Sequence, residues 1–106
     1  MEVVVPPDAE IIASVVNGDI DAFTVLVQRY RDLCLSFALR ILGNRDDAEE
    51  ALQDAFVRAY RALPACRDRA RFGAWLYQIL VNECRTRATR TARRHPLRPR
   101  QLRTKS

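Results

Sequence analysis

This chain is predicted to be all-α, a compact bundle of about four helices followed by a basic, disordered C-terminal tail. Three observations predict that class. Apolar residues return at three- and four-residue intervals along several stretches, which is the period of an amphipathic helix. Helix breakers punctuate those stretches: Pro6-Pro7, Gly18, Gly43-Asn44, Pro64 and Pro96. Between them Ala, Leu and Arg dominate and there are only three Gly, a composition that favours helix over strand. A chain of 106 residues makes one domain at most. The last twelve, HPLRPRQLRTKS, are too polar and too rich in Pro and Arg to pack, which leaves roughly 85–90 residues to bury a core.

The first helix is expected over 8–17. Pro6-Pro7 cannot be continued backwards as helix, Asp8 can cap the start, and Gly18 tolerates the left-handed conformation that ends it. Asp19 can cap the second helix, the clearest pattern in the chain. Phe23, Val27, Tyr30, Cys34, Phe37 and Ile41 recur along it, and Leu26, Leu33 and Ala38 widen the stripe. That makes a helix of about 24 residues, roughly 36 Å long, stopped at Gly43-Asn44. In the third helix Asp46 stands three residues before Glu49, a capping-box arrangement. Its stripe is Ala48, Leu52, Ala55, Phe56, Ala59 and Leu63. Asp47, Glu50, Asp54, Arg58 and Arg61 lie off that stripe, with acids in the first half and arginines in the second, as the helix dipole prefers. Pro64 ends it. The segment ACRDRAR, 65–71, is a short loop, and a fourth helix begins near Arg71 with Phe72, Leu76 and Ile79 buried. At 100° per residue Trp75, Gln78, Asn82, Arg85 and Thr89 fall along one flank beside that stripe. Beyond Cys84 the apolar period fails, so the helix should project from the core and fray towards Pro96.

Charge is segregated. Residues 1–64 carry six Arg against eleven Asp and Glu, whereas residues 65–106 carry eleven Arg and one Lys against two acids. A merely solvated domain has no need of such a split. It suits two partners, a basic protein surface for the first part and a polyanion such as nucleic acid for the second. Other classes are excluded or disfavoured. No run approaches the ~20 apolar residues of a membrane span. The start, MEVVVPPDAE, has neither the basic region nor the long apolar core of a secretory signal. Cys34, Cys66 and Cys84 are an odd number at wide spacing, neither a disulfide framework nor a zinc pattern even with His95, and read as free thiols of a reducing cytoplasm. There is no glycine-rich phosphate loop, nucleophile motif or metal cluster, so no catalysis and no cofactor is expected.

Three blocks then carry a resemblance: GDIDAFTVLVQRYRDLCLSFALRILGN, DDAEEALQDAFVRAYRAL and RFGAWLYQILVNECRTR. Over 21–94 the chain resembles region 2 of the extracytoplasmic-function (ECF) group of bacterial sigma factors. The second block is close to that family's Asp-Ala-Glu-(acid)-hydrophobic-hydrophobic-Gln-(acid)-x-Phe, and the third to Phe-x-x-Trp-Leu-x-x-Ile-x-x-Asn. The order and spacing of all three agree. The resemblance implies a sigma region 2-like domain over 1–94. It would dock on the clamp helices of the RNA polymerase β′ subunit, melt the −10 promoter element and capture its non-template strand. An anti-sigma factor is a further partner that the family implies.

On that frame the polymerase face is the exposed side of the third helix: Glu49, Glu50, Gln53 and Asp54, with Arg58 at the edge. Acids there steer and orient a basic partner more than they raise raw affinity. The DNA face is the 65–71 loop with the outer flank of the fourth helix. Arg67, Arg69 and Arg71 can pair with phosphates, a salt-dependent and sequence-blind contribution, as can Arg85, Arg87, Arg90, Arg93 and Arg94 further along. Gln78 lies on the same flank. Asn82 carries an amide that suits reading a base edge, and it could equally tie the loop to the helix. In the family the loop before the fourth helix helps to hold a flipped base, so 66–71 inherits that role by position. Phe72 and Trp75 invite a stacking role, but aromatics at helical spacing are more often core. Cys66, set among arginines, is the one thiol whose pKa nearby charge would lower, with a redox switch as the consequence.

A complete ECF sigma factor carries a second helical domain that reads the −35 element, and residues 95–106 offer no apolar period to build one. They read as a basic tail or the start of an interdomain linker. The chain is then an excised or truncated domain or a short paralogue. Two rivals remain: a decoy that occupies polymerase or an anti-sigma factor without initiating transcription, and a generic basic bundle that binds duplex DNA regardless of sequence.

Overall fold

A computed structural model describes residues 6–94 of the chain, with side chains to residue 90. The described residues form four helices and no strand: α1 Asp8–Val16, α2 Phe23–Leu42, α3 Arg45–Ala62 and α4 Phe72–Arg94. A 3₁₀ turn, Ile20–Ala22, leads into α2, and two more, Leu63–Ala65 and Arg69–Arg71, bracket the α3–α4 connection. α2, α3 and α4 pack against one another, and α1 lies across α2 and both turns of that connection. His95 and the expected tail lie outside the described residues.

One core runs through the bundle. Ile11, Ile12 and Val15 of α1 meet Leu26, Cys34, Leu35 and Ala38 of α2 and the entire expected stripe of α3, with Phe72, Leu76, Leu80 and Cys84 of α4 closing it. Phe23, Val27, Tyr30, Phe37, Trp75 and Ile79 pack on its margin. Phe72 and Trp75 are therefore core and margin, as the period indicated. Two residues assigned to the α2 stripe are exposed: Leu33 is 71% exposed and Ile41 is exposed as well. Neither is covered by α1, α3 or α4, so a broad apolar stripe overran the narrower seam that these helices cover.

The helix ends differ from expectation in their caps. Gly43 adopts a left-handed φ of 69° and donates its N–H to Leu39, which ends α2. The chain then turns through Asn44, whose side-chain oxygen accepts the Asp47 N–H at 2.9 Å. Asn44, not Asp46, is thus the N-cap of α3. It is the residue in extended conformation just before the helix, where a short acceptor reaches the third N–H. Glu49 consequently has no capping role and pairs with Arg45 at 3.0 Å. Asp8 and Asp19 make no capping bond either. Asp8 is the first residue of α1 rather than the one before it. Its carboxylate accepts from Arg29 Nη1 at 2.7 Å and from the Tyr30 hydroxyl, which ties α1 down on α2. Tyr30 in turn lies over the start of α4. Its ring meets Phe72 edge-on at 5.6 Å, and a Cβ on Gly73 would come within 2.9 Å of Tyr30 Cε1, so glycine lets α2 and α4 approach there.

α4 stays packed further than its apolar period suggested. After Leu80 and Cys84 the inward positions are charged. Glu83 is 8% exposed and pairs with Arg58 of α3. Arg87 lies one turn on, its side chain 15% exposed, paired with Glu50 and Asp54 of α3. The helix does not leave the bundle at Cys84, because an ionic seam takes over where the apolar one ends.

Candidate protein-docking and nucleic-acid surfaces

The five residues expected on the docking side of α3 are all exposed, but they do not share one surface. At 100° per residue, Glu49 and Gln53 turn towards α2, while Glu50, Asp54 and Arg58 turn towards α4. Glu49 and Gln53 stand on the rim of a cleft between α3 and the start of α2, with Asp21, Thr24 and Arg31 on the opposite rim. The cleft floor is apolar, built from Phe23, Val27, Leu52, Phe56 and Tyr60, with Ile20 and Val57 at its edges. Phe23 holds it open as a hub, edge-on to Phe56 at 6.4 Å and to Tyr60 at 5.3 Å. Burying such a surface supplies affinity that the rim charges alone would not. The sequence did carry a signal for the cleft: Ile20, Val57 and Tyr60 are apolar at positions off every stripe, and all three are exposed.

The second groove runs between α3 and α4. It brings Asp54 and Arg58 of the expected docking set together with Asn82 and Arg90 of the expected nucleic-acid set. Arg61, Thr86 and Arg87 complete its polar walls around the buried Glu83. Arg87 is the centre of the charge arrangement. Nη1 donates to Glu50 Oε1 at 3.0 Å, Nη2 donates to Asp54, and Nε stands 3.9 Å from Glu83 Oε1 without hydrogen-bonding it. Burial alone would push the Arg87 pKa down, but the bonds to Glu50 and Asp54 outweigh it and hold the guanidinium more firmly charged than usual. Glu83 did not stand out from sequence, and Arg87 read only as one of the α4 arginines open to phosphate, a role that its burial against Glu50 and Asp54 removes. Their signal was positional, since they extend the 72–76–80 spacing by three and four residues onto the inward face of α4.

On α4, Gln78, Asn82, Arg85 and Arg90 are all exposed, with Asn82 and Arg90 on the side that borders the α3–α4 groove. Two of the three arginines before α4, Arg67 and Arg71, are exposed, whereas Arg69 is half-buried where the second 3₁₀ turn meets α1. Asn82 makes no side-chain tie to the 65–71 loop. It faces the α3–α4 groove, and only its backbone carbonyl is engaged, by the Thr86 hydroxyl at 2.9 Å. Cys66 overturns one expectation. It is buried, with its thiol directed at the Asp68 carbonyl at 3.9 Å. Burial pushes its pKa up, and the opposing pull of Arg69 does not reverse that. The thiol is turned inward and its burial outweighs the nearby Arg69, so Cys66 reads as a packing residue.

Comparison with known proteins identifies the family of the chain. Residues 26–94 match the family model of sigma-70 region 2. The chain is similar to the RNA polymerase sigma-H factor of Pseudomonas aeruginosa, 34% identical over 89 residues that cover 84% of this chain and 46% of that protein. It is similar to the ECF RNA polymerase sigma factor SigW of Bacillus subtilis, 39% identical over 71 residues, 67% of this chain and 38% of that protein. It is also similar to the ECF RNA polymerase sigma factor SigM of Mycobacterium tuberculosis, 38% identical over 92 residues, 87% of this chain and 46% of that protein. The chain thus spans about half the length of the curated relatives it matches. The matched span takes in most of α2 and all of α3 and α4, the helices that build both grooves, and the chain belongs to the sigma-70 region 2 family, in the extracytoplasmic-function group of sigma factors.

Proposed function

We propose that this domain serves transcription initiation in the bacterial cytoplasm, docking on the β′ clamp helices of RNA polymerase through α3. The 65–71 connection and the outer face of α4 then open the −10 promoter element and hold its non-template strand. The observation that carries the reading is the division of labour on one small bundle. Glu49 and Gln53 lie on α3 beside an exposed apolar cleft, while exposed arginines and two amides lie on the connection before α4 and along α4. An apolar floor with a charged rim is how protein partners are gripped and oriented. A strip of arginines and amides without a protein partner is how a polyanion is held and its base edges are read. Similarity to sigma factors over most of the chain supports both halves.

The test is binding of the chain to an isolated β′ clamp-helix fragment at two salt concentrations. Micromolar or tighter binding that weakens with salt is expected. Glu49→Lys should abolish it without disturbing the fold, because Glu49 lies on the cleft rim away from the Arg87 seam. No binding by a folded chain would remove the docking role and favour a decoy that engages an anti-sigma factor.

A further inference from the structure

Glu50 and Asp54 belong to the docking side of α3, yet both already hold a cation from within the chain. Arg87 reaches them from α4 with its two terminal nitrogens, one to Glu50 Oε1 and one to Asp54 Oδ2. The burial is lopsided. The Arg87 side chain is 15% exposed, whereas those of Glu50 and Asp54 are 66% and 54% exposed. The arginine therefore lies beneath the carboxylates rather than over them, and it does not cover the surface a partner would meet. Glu83, which Arg58 engages, lies 3.9 Å from its Nε as a further negative charge on the inward side.

We propose that Arg87 is a positioning residue for the docking face. It holds one oxygen of Glu50 and one of Asp54 from underneath, so that the second oxygen of each is presented to a basic helix surface. This rests on the docking reading above and names how its α4-side half is built. Two carboxylates one turn apart would otherwise repel and rotate independently. A planar guanidinium fork holds both at once, and groups held in their bound geometry lose less freedom when the partner arrives. The partner is a cationic protein surface, since residues 1–64 carry eleven acids against six arginines. A charge-balanced seam alone needs no exposed carboxylate, and both acids are more than half exposed.

Positioning and charge pull in opposite directions, which makes the idea testable by kinetics. Removing Arg87 deletes a positive charge next to the docking acids, so association with a basic fragment should not slow. Loss of order should appear in dissociation. With the β′ clamp-helix fragment immobilised, Arg87→Met should dissociate roughly tenfold faster than the unaltered chain. Arg87→Lys keeps the charge but loses the fork, and should fall between the two. In a Glu50→Gln/Asp54→Asn background, adding Arg87→Met should cause no further loss. An arginine that acted through the packing of α4, and not through these two carboxylates, would cost the same in either background. An unchanged dissociation rate for Arg87→Met, or for Arg87→Lys if the methionine variant does not fold, overturns the inference, as does an equal loss in the double-variant background. Failure of the unaltered chain to bind the fragment would instead overturn the docking reading and this inference with it.

Discussion

Tyr30 shows how one side chain can serve packing, anchoring and titration together. Its hydroxyl donates to Asp8 and its ring lies over Phe72 and Gly73, so it joins α1, α2 and the start of α4. Burial first, and then the bond to Asp8, push its pKa from 10.0 up to about 12. Cys34, buried beneath it and close to Cys84, is pushed from 9.0 up to about 11. Both groups are neutral when protonated, and both hold their protons more tightly in the folded chain. Their contribution is complete below the unfolded values and is lost as pH rises through the folded ones. Stability should therefore fall from about pH 9, as the unfolded thiol ionises, and further between about pH 10 and 12. Tyr30→Phe should cost about 1 kcal/mol at pH 7 through the lost hydrogen bond. The same variant should flatten the upper part of the alkaline decline. Urea midpoints measured across that range would show this, and an identical slope in both proteins would mean that the hydroxyl is not the titrating group.

Helices are where sequence and structure agree most, and their ends are where they part. α3 owes its start to Asn44, so Asn44→Ala should lower stability by about 1 kcal/mol in thermal or urea unfolding. Asp46→Ala should cost much less, since Asp46 offers only a favourable charge in the first turn. The two candidates differ by two residues and have similar side chains. The choice between them was made by Gly43, whose left-handed turn places Asn44, and not Asp46, in the extended conformation that a cap requires. Periodicity reports a face and not its width, which is why the α3 stripe read true to the last residue while Leu33 and Ile41 of α2 did not. The docking candidates on α3 were legible as exposed residues. Their division between two grooves was not, because it depends on where α2 and α4 lie to either side. Glu83 and Arg87 were hidden for a related reason: hydropathy cannot mark a buried charge, and only the neighbouring carboxylates and Arg58 make that burial tolerable.

At the scale of the whole molecule, the acid-bearing α3 and the arginine-bearing α4 meet along one ionic seam. That geometry revises how the two proposed surfaces can be separated. Charge reversal at Glu50 and Asp54 would set lysines against Arg87 and disturb α4, so loss of binding there would not report on docking alone. The cleft-rim residues Glu49 and Gln53 are free of that tie, and changes to them should leave nucleic-acid binding intact. On the α4 side, Arg85 and Asn82 are neighbours on an exposed face, yet their chemistry assigns them different work. A guanidinium on a phosphate is blind to sequence and releases counterions. Arg85→Ala should therefore weaken cognate and scrambled single strands alike and make the log–log salt slope shallower by about 0.7. An amide reading a base edge carries no charge. Asn82→Ala should leave that slope unchanged while reducing discrimination between the two strands by about 1–3 kcal/mol. Titration of both variants with a labelled −10 non-template strand, and with its scrambled counterpart, across several salt concentrations separates the two roles. Equal loss on both strands for Asn82→Ala would make that amide a structural or backbone contact and move base reading elsewhere on the 65–71 connection.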